Sequence, residues 1–492
     1  MDNNFRDKLK SGVMWSSFRT LVMTVLHFMT GVVLARLLEP SDFGVFIAAS
    51  GYIAILLTQV RFGFPEALIQ RKVMDEVQLN SCFWVMQVAS IFTLFLLLFT
   101  LGYLDSFYDG GGVEAVGHIM ALNLLLMPYI AAVRVILRRD MDFKTLSKVN
   151  IASNLYVIPV TIVLAYLGFG AISLAIGGLM SMLISAYLLW HYKRWLPGFV
   201  SFRKIKELVR YSWNTYIILM INTASTRVDK MMIGSLSGVA ALGFYNRSAS
   251  LANLPVELVQ NSLSQIIFGV LSKFQGDKNY SNSLYVNALC FISLFVFPVL
   301  FVLYNVADDF IIGLYGGKWS DAVVPLKVLV FAAFLSMVKL LIKNVSAAQD
   351  LLKNEKNIQL VMFLLLLIMI YWLAGYGVIA IAIGYVVLEF VSFLLLSILV
   401  SRVGIKIKDT LYAVLPALIV CVGSMLLTAS IYEASINDWF EQPLIKVVGY
   451  AIIYIIFYLS LLWVLIKIWR NHLSLQAFYG ISMSYLNKAV RQ

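Results

Sequence analysis

Several charged and hydrogen-bonding side chains fall inside stretches that are otherwise apolar. Arg19 and His27 lie eight residues apart in the stretch 11–38, so a helix there places them on one face, two turns apart. Arg61 and Glu66 stand near the end of the stretch 45–69, with Pro65 between them expected to kink the helix. In the stretch 211–236, Asn222, Ser225, Thr226 and Asp229 form a stripe, with Arg227 and Lys230 beside it. In the stretch 240–270, Asn246, Ser250, Asn253, Glu257, Gln260, Asn261 and Ser264 step by threes and fours along one face, and Arg247 lies near its start. Glu389 is a further acid inside an apolar run. Charges at such depth either pair with one another or line a wet cavity. Arginine and lysine outnumber the acids, which suits an anionic ligand, and the guanidinium fork suits phosphate. His27, Glu66, Asp229 and Glu257 are the groups that would hold a coupling proton or sodium ion. Asn222, Asn253, Gln260 and Asn261 complete the polar lining. Arg36, Arg134, Lys339 and Lys343 read instead as snorkelling or interfacial anchors, and isolated Ser, Thr or Asn as glue between helices.

The elements that must carry these residues are membrane spans. The chain has 492 residues, of which 61% are hydrophobic and 13% charged, with a mean hydropathy of +0.86. A soluble protein carries about 25% charged residues. A bilayer core about 30 Å thick needs about 20 apolar residues per helix. Fourteen spans can be drawn, at 11–38, 45–69, 79–104, 115–137, 146–168, 171–191, 211–236, 240–270, 284–305, 324–348, 357–375, 378–400, 410–432 and 444–468. The first ten residues, MDNNFRDKLK, carry no cleavable signal pattern. The fold class expected is an all-α polytopic membrane protein.

Charge alternates between successive connections. One side holds Arg71 and Lys72, Arg138 to Lys148, Lys193 to Arg210, Lys273 and Lys278, Lys353 and Lys356, Arg402 to Lys408, and both termini. The other side is acidic, with Asp105, Asp109, Glu114, Asp308, Asp309, Asp321, Glu433, Asp438 and Glu441. Lys and Arg are enriched in cytoplasmic loops, so both termini are expected in the cytoplasm. The net charge of +12 needs no nucleic-acid partner, since an anionic cytoplasmic leaflet accounts for it. Trp190, Trp195, Trp439 and Trp469 fit interfacial belts.

The longest basic connection, HYKRWLPGFVSFRKIKELVR, divides the chain. It gives a six-helix lobe at 1–198, a second six-helix lobe at 199–405, and two extra spans with a cytoplasmic tail at 406–492. Six is even, so the halves enter from the same side and form parallel repeats. An internal echo has the same length: VVLARLLEPSDFGVF returns about 199 residues later as MMIGSLSGVAALGFY, with Gly44 over Gly243 and Phe46 over Tyr245. Under that register Thr58 matches Glu257 and Arg61 matches Gln260. In the turn EPSDFG, Pro40 breaks the first helix and Ser41 or Asp42 is expected to cap the second.

No catalytic chemistry emerges. Cys82, Cys290 and Cys421 match no metal or redox spacing and read as packing residues. The three longest acidic-side connections contain no histidine and no nucleophile–base pair. No GxxxxGK followed by Ser or Thr is present, so no ATP-binding loop is expected. The chain therefore reads as a transporter that is not an enzyme, without metal or cofactor.

The runs LARLLEPSDFGVF, RFGFPEALIQRK and TRVDKMMIGSLSGVAALGFYNRS resemble the Wzx-type polysaccharide flippases of the multidrug/oligosaccharidyl-lipid/polysaccharide exporter superfamily. The resemblance implies two lobes in a V that alternate between inward- and outward-open states. It implies a bacterial inner-membrane location and an undecaprenyl-diphosphate-linked oligosaccharide as cargo. That cargo would move to the periplasmic leaflet for exopolysaccharide, capsule or O-antigen synthesis, beside a polymerase and export machinery. It also implies a diphosphate-holding role for Arg19, Arg61, Arg227 and, more weakly, Arg247. The extra C-terminal pair of spans fits the lipid flippases and is expected to form part of a groove for the prenyl tail. The competing functions are a cation or drug antiporter of the same superfamily, which would use Asp229 and Glu257, and a membrane-embedded polysaccharide ligase or polymerase.

Overall fold

Backbone polar groups in hydrocarbon must be satisfied within the segment itself, so long apolar runs become helices. The structure, a computed structural model, describes residues 3–71, 74–108, 111–273, 278–349, 351–435 and 442–468. Lys72, Asp109, Asp438, Trp439, Glu441, Trp469, Arg470, Lys488 and Arg491 lie outside the described residues, as do the Asn261, Ser264 and Glu433 side chains. Among the described residues every regular element is helical, as the composition requires.

The first helices are α1 (Asn3–Leu37), α2 (Pro40–Arg61), α3 (Phe64–Gln70), α4 (Glu76–Ser106), α5 (Val113–Ala121) and α6 (Asn123–Arg139). They are followed by α7 (Phe143–Tyr166), α8 (Ala171–Lys193), α9 (Phe202–Ser237) and α10 (Val239–Lys273). Then come α11 (Lys278–Asn305), α12 (Ala307–Tyr315), α13 (Val323–Ala348), α14 (Leu352–Leu373), α15 (Val378–Ser401), α16 (Ile407–Ser435) and α17 (Pro443–Ile468).

Twelve helical stretches among the described residues are long and apolar enough to cross a membrane. The other two of the expected fourteen spans fall on α9 and α10, which run for 36 and 35 residues; parts of both lie outside the described side chains, so the twelve do not include them. Two further differences are local. The EPSDFG turn is shorter than expected, because α2 already starts at Pro40. Glu39 is the residue that precedes the helix, and Asp42 closes a capping box by accepting the Glu39 N–H at 2.9 Å. The kink expected at Pro65 is instead a full break. Phe62 (φ 46°) and Gly63 (φ 70°) are both left-handed, which ends α2, and Pro65 sits in the first turn of the separate helix α3.

By internal contacts the chain forms two units, Met1–Asn246 and Arg247–Gln492. In the first unit α1 packs on α7, α7 on α8, α4 on α5 and α6, and α2 on α9. That last contact places α9 with the N-terminal elements. A core built on Phe64, Leu68, Met86, Leu97, Leu101 and Leu124 joins α3 to α6, and a second joins α6, α7 and α8 through Ile130, Val133, Leu137, Leu146, Val149 and Leu189. In the second unit α13 packs on α15 and α11 on α16. The final pair is docked by tyrosines: the Tyr458 hydroxyl donates to the Leu294 carbonyl at 2.7 Å, and the Tyr454 hydroxyl to that of Cys421 at 3.3 Å. Cys82, Cys290 and Cys421 are buried and unbonded.

Candidate functional site

The first unit contains a basic cavity. It is about 250 Å³ in volume and is lined by Ser16 and Arg19 of α1, Arg134 and Arg138 of α6, and Ser147 and Asn150 of α7, closed by Phe143 and Leu146. A second space of about 300 Å³ shares Arg19 and Asn150 and continues along α1 past Thr20 and Thr24 to His27 and Asn154.

Helix geometry explains how these residues meet. Arg134 and Arg138 are four apart on α6, and Ser147, Asn150 and Asn154 step by three and four on α7, so each set shares a face. The turn between the two helices is fixed by Asp142, whose carboxylate accepts the Thr145 N–H at 3.0 Å and its hydroxyl at 2.7 Å. The core of α6, α7 and α8 backs this turn. Arg139 points to another side and donates to the carbonyls of Leu68 at 2.7 Å and Arg71 at 2.6 Å, which pins the end of α6 to α3. Ser147 donates to the Trp15 carbonyl at 3.1 Å and ties α7 to α1. Lys144 lies 5.8 Å over the Trp15 ring and adds a cation nearby.

Arg134 lines this cavity and donates to Asn150 Oδ1 at 3.1 Å, where the sequence suggested a snorkelling anchor. Among the described residues the cavity lining holds three guanidinium groups and no carboxylate. In a partly desolvated site such a set attracts a multiply charged anion and can meet its oxygens with bidentate hydrogen bonds.

Arg61 stands differently from Arg19. It forms an ion pair and hydrogen bond with Glu66 across the break after α2, so its charge is balanced locally. Arg61 Nε and Glu66 Oε2 remain without a partner at the buried edge of the pair. The break that brings them together is locked by aromatic packing. Phe62 stacks on Tyr216 of α9, with ring centroids 4.5 Å apart, and a side chain on Gly63 would meet the Tyr216 backbone N at 3.1 Å. A bulky residue in the left-handed region costs about 1–2 kcal/mol, which this stacking offsets.

The other expected residues are distributed along α1, α9 and α10. His27 is exposed on α1, 3.5 Å from Asn154 Oδ1. Arg227 backs onto α2, its Cβ 3.9 Å from where a side chain on Gly51 would begin. Asn222 is exposed on α9, and Asp229 accepts the N–H of its neighbour Lys230 at 2.7 Å. In the second unit, Arg247 lies 5.3 Å over the Tyr315 ring, so it has a packing partner. Asn253 donates to the Ala249 carbonyl at 3.0 Å, while Glu257 and Gln260 are exposed. Arg19 and His27 therefore share one continuous space as their spacing suggested. Arg134 and Arg138, which the sequence suggests as an anchor and as part of a basic connection, and Asn150, which nothing in the sequence singles out, are the further members of this site.

The fold matches that of known membrane transporters. A lipid II flippase, MurJ, in an inward closed conformation, aligns over 93% of this chain and 99% of its own, with a TM-score of 0.76 at 18% identity. An inward-facing multidrug resistance transporter of the MATE family aligns over 77% of this chain and 95% of its own, with a TM-score of 0.58 at 15% identity. In sequence, the teichuronic acid biosynthesis protein TuaB of Bacillus subtilis (strain 168) is 25% identical over 67% of this chain and 68% of its own length. The lipopolysaccharide biosynthesis protein WzxC of Escherichia coli (strain K12) is 21% identical over 68% of this chain and 69% of its own. Residues 33–324 match the polysaccharide biosynthesis protein family, and the chain belongs to that family. It is thus a multi-pass membrane protein of the polysaccharide biosynthesis protein family, with the fold seen in the MurJ and MATE transporters.

Proposed function

We propose that this protein is an inner-membrane flippase for undecaprenyl-diphosphate-linked oligosaccharides. It carries the repeat unit from the cytoplasmic to the periplasmic leaflet by alternating access, with both termini in the cytoplasm. The product feeds surface polysaccharide assembly through a polymerase and export machinery. The observation that carries the reading is the cavity of Arg19, Arg134 and Arg138, in which the described lining residues include no acid. A diphosphate cannot cross hydrocarbon unaided, and three guanidinium groups can replace its hydration shell while a prenyl tail stays in lipid. Arg134 and Arg138 lie at the end of α6 that runs into a strongly basic connection, the side assigned to the cytoplasm, where the cargo is made. Arg61, held by Glu66, acts on the cargo as a half-neutralised partner, and His27 extends the polar path. The last two helices form part of the groove for the tail.

The test is translocation in proteoliposomes, with a fluorescent prenyl-diphosphate oligosaccharide in one leaflet. Arg19→Ala/Arg134→Ala is expected to lose at least about tenfold in rate, since each charge-assisted hydrogen bond contributes about 1.5–3 kcal/mol. Arg134→Lys is expected to keep part of it. Full transport by the double alanine variant would remove the arginine cavity from the path. No transfer of any lipid-linked sugar, with movement of a cationic dye instead, would favour an antiporter.

A further inference from the structure

The second unit holds a buried ion pair that the cavity chemistry above does not use. Lys339 of α13 and Glu389 of α15 are bonded Nζ to Oε2, with side chains only 8% and 12% exposed. The pairs Arg61–Glu66, Lys193–Asp140, Lys204–Asp75 and Lys327–Asp308 all have both side chains more exposed, from 26% upward. Glu389 lies halfway along the 24-residue α15, so neither snorkelling nor an interfacial position describes this lysine. The lysine points between the two helices rather than out to lipid, which corrects the anchoring role suggested by its sequence.

The surroundings of the ammonium are made of oxygen. Ser336 donates its hydroxyl to Glu389 Oε2 at 3.1 Å, and Ser392 Oγ lies 3.5 Å from Lys339 Nζ. The Glu389 carboxylate and the Ser392 hydroxyl against the ammonium, with the Ser336 hydroxyl held on the same carboxylate oxygen, are hard-oxygen groups of the kind that an alkali or alkaline-earth cation takes. A buried pair of this kind adds little net stability over apolar side chains of the same size, whereas removing one partner strands a charge. An acid at this depth needs a cation, and the chain supplies that cation covalently. Lys343, one turn further along α13 and half-buried, is the next cation on the same face.

We propose that Lys339 is a built-in cation. Its ammonium occupies the place that a small monovalent cation would take between Glu389, Ser336 and Ser392. The second unit therefore keeps its buried acid neutralised without taking up sodium there, and Glu389 is unavailable to a mobile coupling ion. This inference is independent of the flippase reading, because it concerns a different unit and a different ligand.

The experiment is a thermal unfolding series of the purified full chain in detergent at neutral pH. It compares sodium, lithium and choline chloride at equal ionic strength, with 22Na+ binding measured alongside. The native protein is expected to unfold at one temperature in all three salts. Lys339→Met is expected to unfold earlier in choline and to regain about 3 °C or more with sodium or lithium, saturably, while binding 22Na+. Lys339→Met/Lys343→Met is expected to behave alike, which keeps Lys343 from substituting. Lys339→Met/Glu389→Gln is expected to lose the salt response. A Lys339→Met variant with equal stability in all three salts would overturn the proposal. So would one restored by acid alone, because Glu389 would then be neutralised by a proton and the oxygens would hold no metal. If Lys339→Met fails to accumulate, the exchange Lys339→Glu/Glu389→Lys decides. It retains a built-in cation and is expected to be salt-indifferent, and sodium-dependent stability in it would equally refute the idea.

Discussion

Two helices that correspond in the internal repeat, α2 and α10, begin with the same contact and then part company. Gly44 is the fifth residue of α2 and Gly243 the fifth of α10. A side chain on Gly44 would begin 1.7 Å from the Val239 carbonyl oxygen, and one on Gly243 would begin 2.0 Å from that of Pro40. Pro40 and Val239 are the first residues of their helices and are themselves 199 positions apart, so the contact is reciprocal. Each helix start lies on the glycine of the other. The caps differ. Asp42 closes a capping box on Glu39 and also accepts the Ala171 N–H at 3.0 Å, so one carboxylate serves the starts of α2 and α8. In α10 the equivalent places hold Gly238 and Ala241, and the chain turns through Gly238 at φ 91°. Further along, Thr58 and Arg61 face Thr223 and Glu66, whereas Glu257 and Gln260 are exposed on α10. Backbone against backbone leaves no room for a side chain, and both repeats have glycine there. Side chains a few turns away were free to diverge, and the repeats could thereby acquire different chemistry.

That comparison can be broken most severely at the glycines. Gly44→Ala and Gly243→Ala each set a methyl group against a carbonyl that no rotamer change relieves. Each is expected to lower stability by about 3 kcal/mol, outweighing the helix-propensity gain of about 1 kcal/mol. Similar losses in the two variants, read as unfolding midpoints, would bear out reciprocity, while a loss in only one would refute it. Gly178→Ala in α8, with open space around it, is the control and should be neutral or slightly stabilising. The capping difference gives a smaller effect. Asp42→Ala removes acceptors from two helix starts and is expected to cost about 1–2 kcal/mol, whereas Ala241→Ser at the matching place in α10 should change little. The smallest effect concerns the polar link between α2 and α9. Thr58→Val deletes the 3.1 Å contact with Thr223 and is expected to cost about 0.6 kcal/mol, with transport unchanged in the proteoliposome assay.

Much of the frame was legible in the chain. Apolar runs of span length gave the helices, and α9 and α10 were placed correctly along the sequence. The echo of Gly44 in Gly243 was visible as letters, but letters could not say that these two glycines touch each other's helices. Pro65 is the stronger local signal and points to a kink, whereas the chain breaks at Phe62. The left-handed pair Phe62–Gly63 is stabilised by Tyr216, about 150 residues away. Arg134 and Lys339 suggest anchors in the sequence, since long basic side chains in apolar runs usually reach for headgroups.

The sequence by itself determined which segments are helices and where several of them start and stop. It also determined that charges would lie among apolar neighbours, because hydrophobic transfer and helix capping act over a few residues. Only the tertiary structure decided how those charges are partnered. Arg19 joins Arg134 and Arg138 in one cavity, Arg61 is matched by Glu66, and Lys339 is matched by Glu389. An ion pair inside a membrane depends on a few ångströms of separation and on exclusion of water, and both are set by which helix faces pack together.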